Sequence, residues 1–194
     1  MRTKVRLIFF IGVALFACSC TIRHPVAEDY PQYLAKNGGS ANLPRTDGAS
    51  LYFITPNTER FSYEFRAFTT GAANLWVVEF GKMLDDTLTS PEVQEAFGSL
   101  KKTSEATGEL GKTLIFDLQQ YTFQDYGAHI SLKVTLMPSG QAPFEKIYTQ
   151  DGKSQGGKMF WGGAFAQKNA VQQSTKLALD EILRDLLADL NALP

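Results

Sequence analysis

The sequence predicts an α+β domain: a mostly antiparallel sheet of about four to five strands, covered on one face by two helices in two layers. Three features carry this reading. Residues 113–150 hold three runs of alternating apolar and polar side chains separated by turn residues. Residues 169–190 repeat leucine and isoleucine at helical spacing with acids and Arg184 on the other side. A shorter apolar stripe runs from Leu75 to Leu88.

In chain order, Arg2, Lys4 and Arg6 precede the apolar run Leu7–Ala17, and no acid occurs before Glu28. A basic start, a short apolar core and small residues at its end describe a signal peptide over 1–17. Eleven residues, at about 1.5 Å each, cover only about half of a hydrocarbon core about 30 Å thick, so the run is too short to span a bilayer.

Leu15-Phe16-Ala17-Cys18 resembles a bacterial lipobox, which implies lipidation of the Cys18 thiol and cleavage after Ala17. Phe16 departs from the small residue usual at that place. Ala17-Cys18-Ser19-Cys20 supplies a second register with Cys20 as the anchor. Other uses of these thiols fail on chemistry. Structural zinc wants four ligands, and the chain has two cysteines and two distant histidines. Redox pairs are spaced C-x-x-C. A disulfide across one residue constrains almost nothing. Diacylglyceryl plus N-acyl chains would anchor the protein durably. Ser19 stands where the usual enterobacterial retention signal has Asp, which implies outer-membrane sorting with the domain facing the periplasm.

Loss of residues 1–17 removes three of 19 basic side chains and none of the 20 acids, leaving a formal charge of −4. That balance excludes a nucleic-acid partner recognised through overall charge. From 18 to 48 the chain shows Pro25, Pro31, Pro44 and Gly38-Gly39 without a sustained apolar period. This predicts a lipidated N-terminus and flexible tether, with a single globular domain over 49–194. The alternative is that Tyr30, Tyr33 and Leu34 pack onto the domain.

Within the domain, Ser50–Ile54 reads as a strand ended by a turn at Thr55-Pro56-Asn57, and Phe61–Phe68 alternates as a second strand. Asn74 is placed to cap a helix through Leu88, and Ser90-Pro91 to start another that ends near Phe97-Gly98. Residues 101–112 read as a polar surface loop. Strands follow over Thr113–Tyr121, His129–Met137 and Phe144–Gln150, and then the long helix.

From Leu114 to Leu190 this order resembles the YajG-like lipoproteins and, more loosely, the ABC-type transport auxiliary lipoproteins and the N-terminal domain of TolB. The residues concerned are the two long strands, the Ser139-Gly140 turn, Tyr148, Gly163–Gln167 and the final amphipathic stretch. The resemblance implies a non-enzymatic accessory or adaptor protein of a transport or envelope-assembly system. It would have a membrane contact through the lipid anchor and an envelope protein or a second copy of itself as partner.

No catalytic constellation is legible. His24 falls in the tether and His129 on a polar strand face; Asp85-Asp86 point apart on a helix, and Asp117 and Asp125 are isolated. No H-E-x-x-H, G-x-S-x-G, Walker or dinucleotide motif occurs, so neither a metal nor a cofactor is expected. Two surfaces stand out. Met159, Phe160 and Trp161, flanked by four glycines, form either a core segment shaped by turns or an apolar partner-binding loop. Leu51, Phe53, Phe61, Tyr63, Phe65 and Phe68 serve core packing or, as the second reading, line a cavity for a lipid or other hydrophobic ligand.

Overall fold

The computed structural model describes residues 21–38, 42–46, 50–67, 70–108, 111–138, 142–154 and 159–193, with the backbone alone at 50, 159–162 and 164. The signal peptide, Cys18 and Cys20 lie outside the described residues. The architecture is α+β. Strands β2 (Ser50–Ile54), β5 (Leu100–Lys102), β6 (Thr113–Gln124), β7 (Gly127–Met137) and β8 (Phe144–Lys153) form one sheet in the order β5-β2-β6-β7-β8. Strands β1 (Ile22–Pro25), β3 (Ser62–Phe65) and β4 (Asn74–Glu79) form a second, ordered β1-β4-β3. The helices are α1 (Tyr30–Asn37), α2 (Pro56–Glu59), α3 (Phe80–Leu88), α4 (Pro91–Phe97) and α5 (Met159–Ala192).

The antiparallel β6-β7-β8 meander is the centre of the fold. Gln124 pairs with Gly127 across the two-residue turn Asp125-Tyr126. Both turn residues have positive φ, 48° and 60°, the backbone that lets a hairpin turn follow the twist of its strands. Along β7 burial alternates strictly, with Ala128, Ile130, Leu132, Val134 and Leu136 inside. In β6 a register shift between Leu118 and Gln120 flips the inward side chains from Leu114 and Phe116 to Tyr121 and Phe123. The Leu118 N–H donates to Thr58 Oγ1 at 2.7 Å, so the irregularity leaves no orphan donor there. Helix α5 lies on this sheet through Leu179, Ile182, Leu183 and Leu186. At Gly152 of β8 an added Cβ would fall 1.8 Å from the Ser174 carbonyl oxygen, so helix and strand backbones touch.

Several sequence expectations are corrected. The flexible tether over 18–48 does not hold for residues 22–37. β1 pairs in parallel with β4, and Val26 and Tyr30 are fully buried. Gln172 donates to the Val26 carbonyl at 3.0 Å, and Lys168 pairs with Asp29 at 2.8 Å. Apolar residues are sparse here, yet Val26, Tyr30 and Leu34 recur every fourth position, and Pro31 is tolerated in the first turn of a helix. The globular unit therefore begins well before residue 49.

Asn74–Glu79 is a strand, so Asn74 caps no helix; it pairs with Ile22. Trp76, Val77 and Val78 are buried in succession, as befits a central strand flanked on both sides, where β-branched and aromatic residues pack well. Thr55–Asn57 is no simple turn: Thr55 caps the short helix α2. Leu100–Lys102, at the edge of the expected loop, pairs with β2 as an additional parallel strand. Met159–Trp161 belong to the backbone of α5 rather than to a loop. The helix breaks at Gly163, with φ 53° and ψ −135°.

Candidate functional site

A groove of about 680 Å³ lies between α1, the α3–α4 turn and α5. Its aliphatic walls come from Pro31, Leu34 and Ala35 of α1, Leu43, and Val93 and Ala96 of α4. The same four-residue spacing that buries Tyr30 against α3 turns the neighbouring Pro31 and Ala35 toward the groove. Tyr30 lies fully buried, its hydroxyl 3.3 Å from Thr87 Oγ1, and Thr87 donates to the Met83 carbonyl at 2.8 Å. Burial pushes the Tyr30 phenol far above its ordinary value. It acts as a neutral, fixed strut.

The groove reaches an ionic cluster. Lys176 and Asp180, one turn apart on α5, are only 4% and 5% exposed. Lys176 Nζ stands 2.5 Å from Asp180 Oδ2 and 3.8 Å from Glu92 Oε2. Burial raises the Asp180 carboxyl, and the Lys176 ammonium pulls the other way. On the α3 side, burial first and the neighbouring Asp85 second push Asp86 up to about 6. Arg45 and Glu95 pair at the rim. Four acids (Asp86, Glu92, Glu95, Asp180) thus face two bases (Arg45, Lys176). The arrangement suits a segment that offers apolar side chains and a positive charge. It assembles no nucleophile–base pair, and among the described residues no group of three or more His, Cys, Asp or Glu side chains is placed to hold a metal ion.

The residues singled out in the sequence are dispersed. His24 stacks on Trp76 at 4.6 Å and bonds Asn74 at 2.7 Å, which fastens β1 to β4. His129 pairs with Asp151 of β8 on the outer sheet face. Asp85 accepts from the Tyr52 hydroxyl at 2.7 Å and meets Lys102 at 3.2 Å, while Asp117 accepts from Thr55 at 2.9 Å. The side chains of Met159, Phe160 and Trp161 lie outside the described residues; Phe165, just past the helix break, is 84% exposed.

The aromatic set is filled by its own rings. Tyr63 meets Tyr121 edge-on at 5.5 Å, and Phe65 lies 5.1 Å from Phe123, stitching the two sheets together. In β2 the fully buried side chains are Tyr52 and Ile54, with Leu51 and Phe53 on the opposite face. Phe68 lies outside the described residues. The groove lies among the helices and is lined by none of the described residues of this aromatic set. Sequence reasoning missed Lys176 and Asp180, although opposite charges four residues apart inside an apolar helical stretch were a visible signal.

No family model matches the chain, and no curated protein matches it. Among solved structures it is similar to protein XCC0632 of Xanthomonas campestris, which carries the family model DUF330. The two share 14% identity with a TM-score of 0.48, over 78% of this chain and 91% of that one.

Proposed function

We propose that this chain is a lipid-anchored lipoprotein of the bacterial outer membrane, facing the periplasm, that acts without catalysis as an adaptor for a transport or envelope-assembly system. The observation that carries the binding role is the groove of about 680 Å³, with aliphatic walls on α1 and α4 and an ionic cluster held at fixed positions. A rigid concavity with few fixed polar groups is the usual form of a recognition site. The N-terminal sequence supplies the anchor: a basic start, an eleven-residue apolar run and Cys18, with Cys20 as the second register.

The partner-binding role is tested by a photocrosslinking residue at Ala35, inside the groove, compared with one at Ile147, exposed on β8. Crosslinking in cells should give one discrete adduct with an envelope membrane protein from position 35 only. Equal, diffuse labelling from both positions refutes the groove as the docking site. An adduct with a second copy of the chain identifies the oligomer as the partner. For the anchor, Cys18→Ser should abolish fatty-acid labelling; loss only in Cys20→Ser assigns the second register.

The size of the groove also favours a second reading, a carrier of a lipid or other hydrophobic ligand. It predicts a stoichiometric lipid in extracts of the purified protein, lost in Leu34→Trp, which fills the groove.

A further inference from the structure

If the lipid anchor proposed above is correct, the fold fixes how the domain meets the membrane. The described residues start at Thr21. Its hydroxyl accepts from Arg66 at 3.2 Å, and the Ile22 N–H donates to the Ala73 carbonyl at 2.9 Å. Only three residue steps separate Cys18 from Thr21, at most about 11 Å of chain, and one step separates Cys20 from it. That is close to the screening length of about 8 Å at physiological salt. A lipidated residue at headgroup depth therefore holds one particular end of the domain against the surface.

That end is defined by topology. β1 and β4 run in parallel from Ile22 and Asn74, and β3 ends opposite them, with Phe65 beside Trp76. The starts of β1 and β4 and the end of β3 thus share one end of the three-stranded sheet. Ile22 is 53% exposed there. The Arg23 side chain is 61% exposed and pairs with Glu64 at 2.5 Å. Arg66 is exposed and donates to neutral acceptors, the Ala72 carbonyl and the Thr21 hydroxyl, so its charge is not cancelled by them. Two arginines and one glutamate give this end a local positive balance, on a chain whose remainder after residue 17 carries −4. An anionic surface attracts this end and repels the rest.

We propose that the sheet end bearing Ile22, Arg23 and Arg66 is a membrane-contact surface, seated on anionic phospholipid headgroups of the leaflet that holds the anchor. The domain sits directly on the bilayer and in one orientation.

The test supplies the anchor chemically, so it does not depend on acylation in cells. The chain from Ser19 with Cys20 as its sole thiol is coupled to a maleimide lipid in phosphatidylcholine vesicles, with or without phosphatidylglycerol. Tryptophan is placed at position 22 (Ile22→Trp) or on β8 (Ile147→Trp), and quenching by headgroup spin-labelled lipid is read above the parent signal. Quenching should be strong at 22, weak at 147, and greater with phosphatidylglycerol. Arg66→Gln should lower the ratio of contacting to free protein about fivefold in the anionic vesicles, as expected for removal of one basic group near such a surface. Arg23→Gln, at a side chain that pairs with Glu64, should act in the same direction without loosening Thr21. Equal quenching at both positions, or indifference to phosphatidylglycerol and to both substitutions, overturns the proposal. Fatty-acid labelling of Cys18→Ser and Cys20→Ser in cells separately decides the anchor itself.

Discussion

Replacement of Lys176 by methionine removes the one cation between two carboxylates inside the fold. The gross attraction is large: at an effective dielectric of about 20, charges 2.5 Å and 3.8 Å apart interact by about 7 and about 4 kcal/mol. Most of this offsets the desolvation of three ions, so the intact cluster adds little net stability. The asymmetry appears when one member is lost. Methionine refills the volume, but Asp180, 5% exposed, loses its nearest counter-charge and keeps only the weaker pull of Arg184, at a cost of about 3–5 kcal/mol. The cost depends on pH, and its sign is fixed. Without Lys176 the Asp180 carboxyl, already raised by burial, rises further above its unfolded value, and the folded state binds the extra proton. Stability of the variant therefore falls as pH rises through that range, by about 1.4 kcal/mol per unit for one proton. Urea unfolding of the chain from Ser19 should show a penalty at pH 7 that shrinks toward pH 5. Lys176→Met combined with Asp180→Leu should recover at least about 2 kcal/mol of it. A single-variant penalty below about 1 kcal/mol with a flat pH profile is the behaviour of a solvated pair and would refute a buried cluster.

Other expectations are simpler. Gly152→Ala drives a Cβ to 1.8 Å from the Ser174 carbonyl oxygen, so it should destabilise by about 3 kcal/mol or more; thermal unfolding within a degree or two of the parent would mean that α5 stands off β8. Asp86, held up to about 6, makes the folded state less stable as pH rises from about 4 to about 6. Asp86→Asn should thus gain about 1 kcal/mol at pH 7, after allowance for partial exposure, and nothing at pH 4, in paired urea titrations. Thr58→Val keeps the shape but orphans the Leu118 N–H, for a loss of about 1–3 kcal/mol, with faster amide exchange at Leu118 as the local readout. Tyr30→Ala should cost about 3–5 kcal/mol, whereas a residue in a tether would cost nothing.

The legible parts of the sequence were those whose pattern is long and local. β7 alternates along its whole length and α5 repeats leucine and isoleucine at helical spacing from Leu179 to Leu190, and the Asp125-Tyr126 turn closes its hairpin without help from elsewhere. What the sequence concealed was set by partners distant along the chain. β1 and β5 are only four and three residues long and exist because β4 and β2 offer parallel edges, which leave no signature in four residues. Asn74–Glu79 followed by Phe80–Leu88 reads as one apolar stripe, since Leu75, Val78 and Leu84 fit a helix as well as a strand leading into one. The groove was invisible for the same reason: its walls lie on α1, α4 and α5, more than 130 residues apart in chain order. Its ionic cluster alone left a local trace, the spacing of Lys176 and Asp180.

The N-terminal segment joins three things that the sequence seemed to keep apart. Residues 22–25 complete the three-stranded sheet around β4, with the Val26 N–H closing the ladder onto Val77 at 2.9 Å. Residues 30–37 then form α1, whose buried side supplies Tyr30 and whose outer side is a wall of the groove. A truncation at the boundary first expected, residue 49, would therefore remove one edge of a sheet, a fully buried tyrosine and one side of the candidate site together. The proposed anchor precedes Thr21 by at most three residues. Any load on the anchor acts directly on β1 and, through Val26 and Asp29, on the Gln172 and Lys168 contacts that hold α1 to α5. Those contacts lie on the helix that also carries Lys176 and Asp180. Attachment through the proposed anchor would thus be coupled to the geometry of the groove through β1 and the contacts of Val26 and Asp29.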